Sequence, residues 1–353
     1  MTEELLLQNI AEKVVGQQRL SLEEGLYLLE TPHQEELFAL ADFVRQQKAG
    51  DVVRYTSTLH LYPTNMCEVQ CPFCSFYAKD DKGYFNTPEM LEERLVESLP
   101  LGISEVHIVG GLYRKCDLSY YQELFRRLRK RSPNIHIKAL TAVEIDFLAR
   151  LHNMEHRDLL ACLIKEGLSF LPGGGAEILD TKVRATIAPK KSSSEEYIAI
   201  HKTAHSLGLF SNITMLFNHI EENEDILIHL EKVRKLQDET GFIKTFIPIP
   251  YLTKNNTLFS IPLKKKNMKT IFAVSRLMLD NVDHIKALWN YLGINLATEL
   301  LLCGADDLGS TSINEQVTTS AGRTKEVMNA EDLAQMIREM GRIPNHLHSG
   351  ELL

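Results

Sequence analysis

Cys67, Cys71 and Cys74 fall within eight consecutive positions of the stretch TNMCEVQCPFCSFYAK, Thr64 to Lys79. Three thiols on one short loop suit metal or redox chemistry, and two kinds of centre compete for them. Structural zinc takes four ligands in a closed tetrahedron, usually as two close pairs, and catalytic zinc takes three with one position open. No second C-x-x-C or histidine pair follows, and Cys116, Cys162 and Cys303 stand isolated. The downstream half of a zinc site is therefore missing, and those three read as ordinary buried thiols. An iron–sulfur cubane of the ferredoxin kind uses four thiolates. Three would leave one iron without a protein ligand and open to a small molecule.

Other chemistry-bearing groups close the apolar runs. Gly110 and Gly111 end SEVHIVGG, Glu144 and Asp146 follow HIKAL, Gly173 to Glu177 follow LSFLP, and Asn218 with His219 end FSNITMLFNH. Helical segments alternate with these runs. Thr87 is an N-cap with Pro88 behind it, Ser193 and Glu196 form a capping box, and EDILIHLEKVRKLQDETG and TIFAVSRLMLDN supply two more. IHIKALTAVEI reads as strand throughout. About seven strand and helix units in succession predict an α/β fold, a parallel (β/α) barrel of the TIM type, complete or incomplete, with a doubly wound sheet as the rival. In a barrel the chemistry gathers where strands end, so these groups would converge on the cysteine loop. The predicted division is an N-terminal helical segment over residues 1–52 packed on the barrel, the barrel over 53–322, and a helical tail over 323–353. Trp289, Met278 and Met215 read as core.

Apolar residues make up 44% and charged residues 24%, which suits a packed enzyme-sized body. The net charge of −8 argues against a nucleic-acid surface, and the basic run LKKKNMK, Leu263 to Lys269, reads as solvated. The opening MTEELLLQNIAEKVV carries acids where a secretion signal carries basic residues, and no run nears the ~20 apolar residues of a membrane helix. The expectation is a cytoplasmic protein without nucleic-acid or membrane partners. In that reducing compartment clustered cysteines are ligands rather than disulfides.

The C-x-x-x-C-x-x-C loop, the aromatic Phe73 before its third cysteine and the glycine pair of HIVGG together resemble the radical S-adenosylmethionine superfamily. Longer stretches narrow the resemblance: YPTNMCEVQCPFCSFYAK, HIKALTAVEI, LPGGGAEI, QDETGFIKTFIPIP and SRLMLDNVDHIKALW are similar to the aminofutalosine synthase branch, in the futalosine route to menaquinone, from about Leu61 to Gly322. The cyclic dehypoxanthinyl futalosine synthases are the alternative within that branch. IKALTAVEI leans towards the first and GSTSINEQV, Gly309 to Val317, towards the second.

The resemblance implies a 4Fe-4S cluster held by Cys67, Cys71 and Cys74, whose open iron chelates the methionine end of S-adenosylmethionine. It places Phe73 near the adenine, Gly110 and Gly111 at the methionine end and Glu177 on the ribose hydroxyls. It also implies an electron donor such as flavodoxin or ferredoxin. The implied substrate is carboxyvinyloxybenzoate, the enolpyruvyl ether of 3-hydroxybenzoate. The 5′-deoxyadenosyl radical adds to its double bond, the aryl group migrates, and loss of carboxylate gives aminodeoxyfutalosine.

Two substrate carboxylates call for cations, and Arg276, Lys286 and His284 are candidates, the alternative being surface pairs with Asp280 or Asp283. Glu144 either serves the sugar or the proton balance of the reaction, or is a first-turn acid of the next helix. The branch usually carries histidine and proline after GGL, where this chain has Tyr113 and Arg114, and a histidine before the later alanine and glycine, where it has Thr318 and Thr319. Arg114 becomes a candidate carboxylate clamp in compensation. A metal-stabilised binding protein without catalysis is the alternative of a different class.

Overall fold

The computed structural model describes residues 3–79, 82–258, 263, 265–348 and 351. Its strands are β1 (Val52–Thr56), β2 (Thr58–Leu61), β3 (Glu105–Ile108), β4 (His136–Ala139), β5 (Phe170–Leu171), β6 (Phe210–Phe217), β7 (Ile243–Pro250), β8 (His284–Ile285), β9 (Asp307–Ser310) and β10 (Ile343–Leu347). From β2 to β8 they form one seven-stranded parallel sheet in sequence order, with helices in the connections. A doubly wound sheet would reverse its order at a switch point. This one never does, and it curls into an incomplete barrel.

Residues 307–313 fill the opening between β8 and β2. Lys286 bridges to Asp307 and Leu59 to Ile313, both in parallel. The Ala287 N–H donates to the Asp307 carbonyl at 2.7 Å and the His60 N–H to the Ile313 carbonyl at 2.8 Å. The same segment carries β9, which pairs with β1, and β1 pairs in turn with β10. The stretch after residue 322, expected as a helical tail, therefore holds one helix, Ala330–Glu339, and then a strand. Its sequence, IPNHL, hides that strand because proline cannot donate to a ladder; here it lies at the edge of the three-stranded sheet, where no donor is needed.

A second difference concerns IHIKALTAVEI. The strand stops at Ala139, Leu140 takes φ +61°, and Thr141 caps the helix Ala142–His152. TAVEI has β-branched residues, but the reciprocal hydrogen bonds of a Thr141/Glu144 capping box decide for helix. The expected caps at Thr87 and at Ser193 with Glu196 are present.

Three N-terminal helices, Glu3–Val15, Leu22–Glu30 and Gln34–Ala49, pack outside the barrel, the last along Met268–Met278. Gly25 lets the second approach closely: a Cβ there would stand 2.7 Å from Leu227 Cδ2 and 2.9 Å from Met278 Sδ. Met215, Met278 and Trp289 are core. In the basic run, Lys264 lies outside the described residues, Lys266 reaches Asn223 at 2.9 Å and Lys269 pairs with Glu299 at 2.8 Å. Among the described residues no helix is long and apolar enough to cross a membrane.

Candidate active site

The cysteine loop leaves the C-terminal end of β2 and is tied to the turn after β3. The Gly111 N–H donates to the Thr64 carbonyl at 2.9 Å and the Glu68 N–H to the Leu112 carbonyl at 2.8 Å. A Cβ on Gly111 would stand 2.0 Å from the Met66 carbonyl oxygen, and one on Gly110 would stand 3.0 Å from that of Thr64. The glycine pair thus lets the two backbones touch. The Gly110 N–H is itself spent on Glu144 Oε1 at 3.0 Å.

Cys67, Cys71 and Cys74 line one cavity of about 140 Å³, together with Gly110, Gly111 and Glu144, and all six cysteines are free thiols. Burial pushes the Cys71 thiol up to about 11 and raises Cys74, while the Lys191 ammonium pulls both back. A thiolate in this setting needs cations beside it, which iron supplies. Among the described residues no three His, Cys, Asp or Glu side chains converge as ligands of a single ion. Each thiolate of a three-legged cubane binds a different iron, so thiols spread around a cavity suit a cluster and not one zinc. The residues present fit a 4Fe-4S group held by Cys67, Cys71 and Cys74.

Glu144 meets the role given by its helix as well as a place in the cavity wall. One carboxylate oxygen accepts from the Thr141 N–H and hydroxyl, each at 2.7 Å, and the other from Gly110. Burial nevertheless raises its pKa to about 7.

A second cavity of about 180 Å³ shares Cys74 and Phe76 with the first and is lined by Phe73 and Glu177. Glu177, at φ +50°, pairs with Lys191 at 2.5 Å, and the Lys191 ammonium stands 5.1 Å from the centroid of Phe73. Gly173 allows the chain to press on β6, since a Cβ would come within 2.7 Å of the Asn212 backbone. Gly174 is left bare between this cavity and the barrel lumen.

The lumen is a third cavity, of about 220 Å³. It shares Val109 and Thr141 with the cysteine cavity and Thr214, Ile249, Tyr291 and Val317 with the Phe73 cavity, so all three are contiguous. Lys286 faces its floor. Three other expected residues do not come to it. Arg114 lies on the outside, its side chain 70% exposed, gripping Glu68 at 2.8 Å. Arg276 is fully buried against Asp306 Oδ1 at 2.8 Å and the Gly304 carbonyl at 2.7 Å. His284 Nδ1 meets Asp306 Oδ2 at 2.5 Å and borders a separate hollow beside Arg54 and Lys244. Thr318 is buried on Glu315, whose carboxylate accepts the Val317 and Thr318 N–H groups at 2.6 and 3.1 Å.

Sequence reasoning missed Lys191 and the polar lumen residues His60, Tyr62, His107, Lys138 and Asn212. The lumen signal was there: Thr58, His60 and Tyr62 alternate with apolar residues in TLHLY, as Glu105 and His107 do in EVHIV, and the period of two sends them to one face.

The model of the radical SAM superfamily matches residues 61–233, and that of the CofH/MqnC C-terminal region matches residues 239–349. The chain is 37% identical to aminodeoxyfutalosine synthase of Thermus thermophilus, over 95% of this chain and 92% of that one. This chain belongs to the radical S-adenosylmethionine superfamily. Within it, the chain is also 35% identical to the aminodeoxyfutalosine synthase of Streptomyces coelicolor, over 96% of this chain and 92% of that one. It is 35% identical to the 5-amino-6-(D-ribitylamino)uracil–L-tyrosine 4-hydroxyphenyl transferase of Archaeoglobus fulgidus, over 90% of this chain and 92% of that one. The solved structure of methylornithine synthase shares the fold at a TM-score of 0.78, with 18% identity, over 97% of this chain and 98% of that one. Membership of the superfamily implies a 4Fe-4S cluster and S-adenosylmethionine, and the relatives of this chain include enzymes with two different names.

Proposed function

We propose that this radical SAM enzyme is an aminodeoxyfutalosine synthase, joining the adenosyl part of S-adenosylmethionine to the enolpyruvyl ether of 3-hydroxybenzoate with aryl migration and loss of carboxylate. The observation that carries the reading is the adjacency of three cavities that share wall residues: thiols in one, an aromatic and a carboxylate in the next, and the barrel lumen beside both. The kinship with the Thermus and Streptomyces enzymes supports it. When bound and reduced by a one-electron donor, the cluster supplies the electron that splits S-adenosylmethionine into methionine and a 5′-deoxyadenosyl radical.

The chain's own residues do the rest. Cys67, Cys71 and Cys74 are the three ligands, and Phe73 offers a flat apolar face for a purine. Glu177 accepts hydroxyl hydrogen bonds from a ribose, with the Lys191 ammonium 2.5 Å from its carboxylate. Tyr62, Tyr291 and Ile247 form apolar and aromatic lumen walls that hold a ring and exclude water from a radical.

The archaeal kinship favours a second reading, transfer of a hydroxyphenyl group from tyrosine to the ribitylaminouracil. Cyclic dehypoxanthinyl futalosine synthase chemistry is a third, favoured by the match of the C-terminal region. Reduced, reconstituted enzyme offered S-adenosylmethionine with each substrate set separately distinguishes them by mass spectrometry. Aminodeoxyfutalosine from the enol ether is the expected product. A coupled product only from tyrosine and the ribitylaminouracil, or a cyclised product only from dehypoxanthinyl futalosine, would overturn the reading.

A further inference from the structure

The floor of the lumen is polar in an unusual way. Lys138 from β4 and Lys286, just past β8, both line it, with 9% and 8% of their surfaces exposed. Lys138 pairs with Glu105 at 2.5 Å, and Glu105 Oε1 also accepts from the Thr58 hydroxyl at 3.0 Å, so that acid is taken up by its neighbours. Lys286 is held more loosely, its ammonium 3.4 Å from Asp307 Oδ2, and Asp307 Oδ1 already accepts from the Gly309 N–H at 2.7 Å. Two ammonium groups carry six N–H donors in all, more than these acids take.

The orphans beside them point the same way. Asn212 lines the same cavity, is 6% exposed, and makes no side-chain hydrogen bond among the described residues. The buried Nδ1 of His60 has no partner there either. Buried polar groups in folded proteins are nearly always paired, so the Asn212 amide left without a partner on the lumen wall calls for a polar ligand. Above the floor the walls turn apolar, with Ile247, Leu288 and Tyr291, which suits a ring whose polar end points down.

We propose that this floor is a carboxylate receptor in which Lys286, backed by Lys138 and Asn212, selects a substrate whose aromatic ring carries a carboxylate and rejects one that carries a phenol. The inference rests on the reading that the lumen holds an aryl enol ether, and it names the residues that choose among the reactions of these relatives. A ring carboxylate accepts charge-assisted hydrogen bonds at both oxygens from ammonium N–H groups that Glu105 and Asp307 leave free, whereas a neutral phenol offers one weaker acceptor. Burial lowers the Lys138 pKa, Glu105 opposes that shift and the charge of Lys286 adds to it; a bound anion beside the two ammonium groups acts in the same sense as Glu105.

The test is equilibrium dialysis of the full chain, reconstituted with iron and sulfide but not reduced, against the enol ether and its derivative with the ring acid replaced by a carboxamide. The acid should bind ~10- to 100-fold more tightly, the worth of a charge-assisted hydrogen bond. Lys286→Gln should bring that ratio to within ~3-fold, and Lys286→Arg should keep most of it because the charge remains. Should Lys286→Gln not fold, Lys138→Gln carries the same test and should lower the ratio. Equal binding of acid and amide by the wild type, or an undiminished ratio in the folded glutamine variants, overturns the receptor. A Lys286-dependent preference for the acid without any adduct on reduction would leave the receptor standing and remove the reaction. Adduct formation from acid and amide alike would do the reverse.

Discussion

Glu144 answers two demands at once, capping a helix and bracing the turn that holds the cysteine loop. Its pKa, about 7 against an ordinary 4.5, is raised by burial in spite of those hydrogen bonds. The native carboxyl therefore keeps a proton that the unfolded chain releases between pH 4.5 and 7, and stability falls as pH rises through that window. The unfolding free energy of the wild type minus that of Glu144→Gln should drop by ~3 kcal/mol from pH 4.5 to 7, measured by urea unfolding of the iron-free chain. A flat difference would mean that the native carboxyl titrates where it does in the unfolded chain. Arg114 gives the opposite expectation. Exposed, screened by solvent and paired with Glu68, it stands away from the lumen, so Arg114→Ala should change the substrate KM by less than ~5-fold. A larger change in steady-state assays would return it to the substrate site.

At the scale of elements, the turn after β3 and the cysteine loop act as one unit because glycine lets them touch. Gly111→Ala would drive a methyl group into the Met66 carbonyl, and the loop must move to admit it. The alanine variant should retain less than about half the iron of the wild type after reconstitution, read by iron assay and visible absorbance. Full iron content would mean the loop adapts. These elements were legible in the sequence since cysteine spacing and glycine pairs are local signals, whereas the Thr141/Glu144 capping box lay hidden in a run that reads as strand. Lys191 was not, because it approaches Cys71, Phe73 and Glu177 only through folding, from a stretch, PKKSSS, that reads as exposed loop. The lumen lysines were half legible: Lys286 was singled out for its charge, whereas Lys138 sat in a run read simply as strand.

Across the whole molecule, the barrel is closed from its far end. Arg276, His284 and the Ile285 N–H all converge on Asp306, immediately before the segment that seals the gap between β8 and β2. The sequence offers no sign of this junction, because Arg276 and Asp306 lie thirty positions apart and neither periodicity nor spacing links them. Removing one partner strands a fully buried charge, so Asp306→Ala should cost ~3–5 kcal/mol in denaturant unfolding. A loss below ~1 kcal/mol would show that the seal does not depend on it.

The proposed reaction sets the central expectation, that the adenosyl group is built into product instead of being released. The deciding measurement uses S-adenosylmethionine labelled with carbon-13 in its adenosine, reduced enzyme and the enol ether, and follows the label by mass spectrometry. Label in a product that still bears the aryl carboxylate, formed in step with methionine, is the predicted result. Label recovered entirely as free 5′-deoxyadenosine would contradict it and make this enzyme one that abstracts hydrogen.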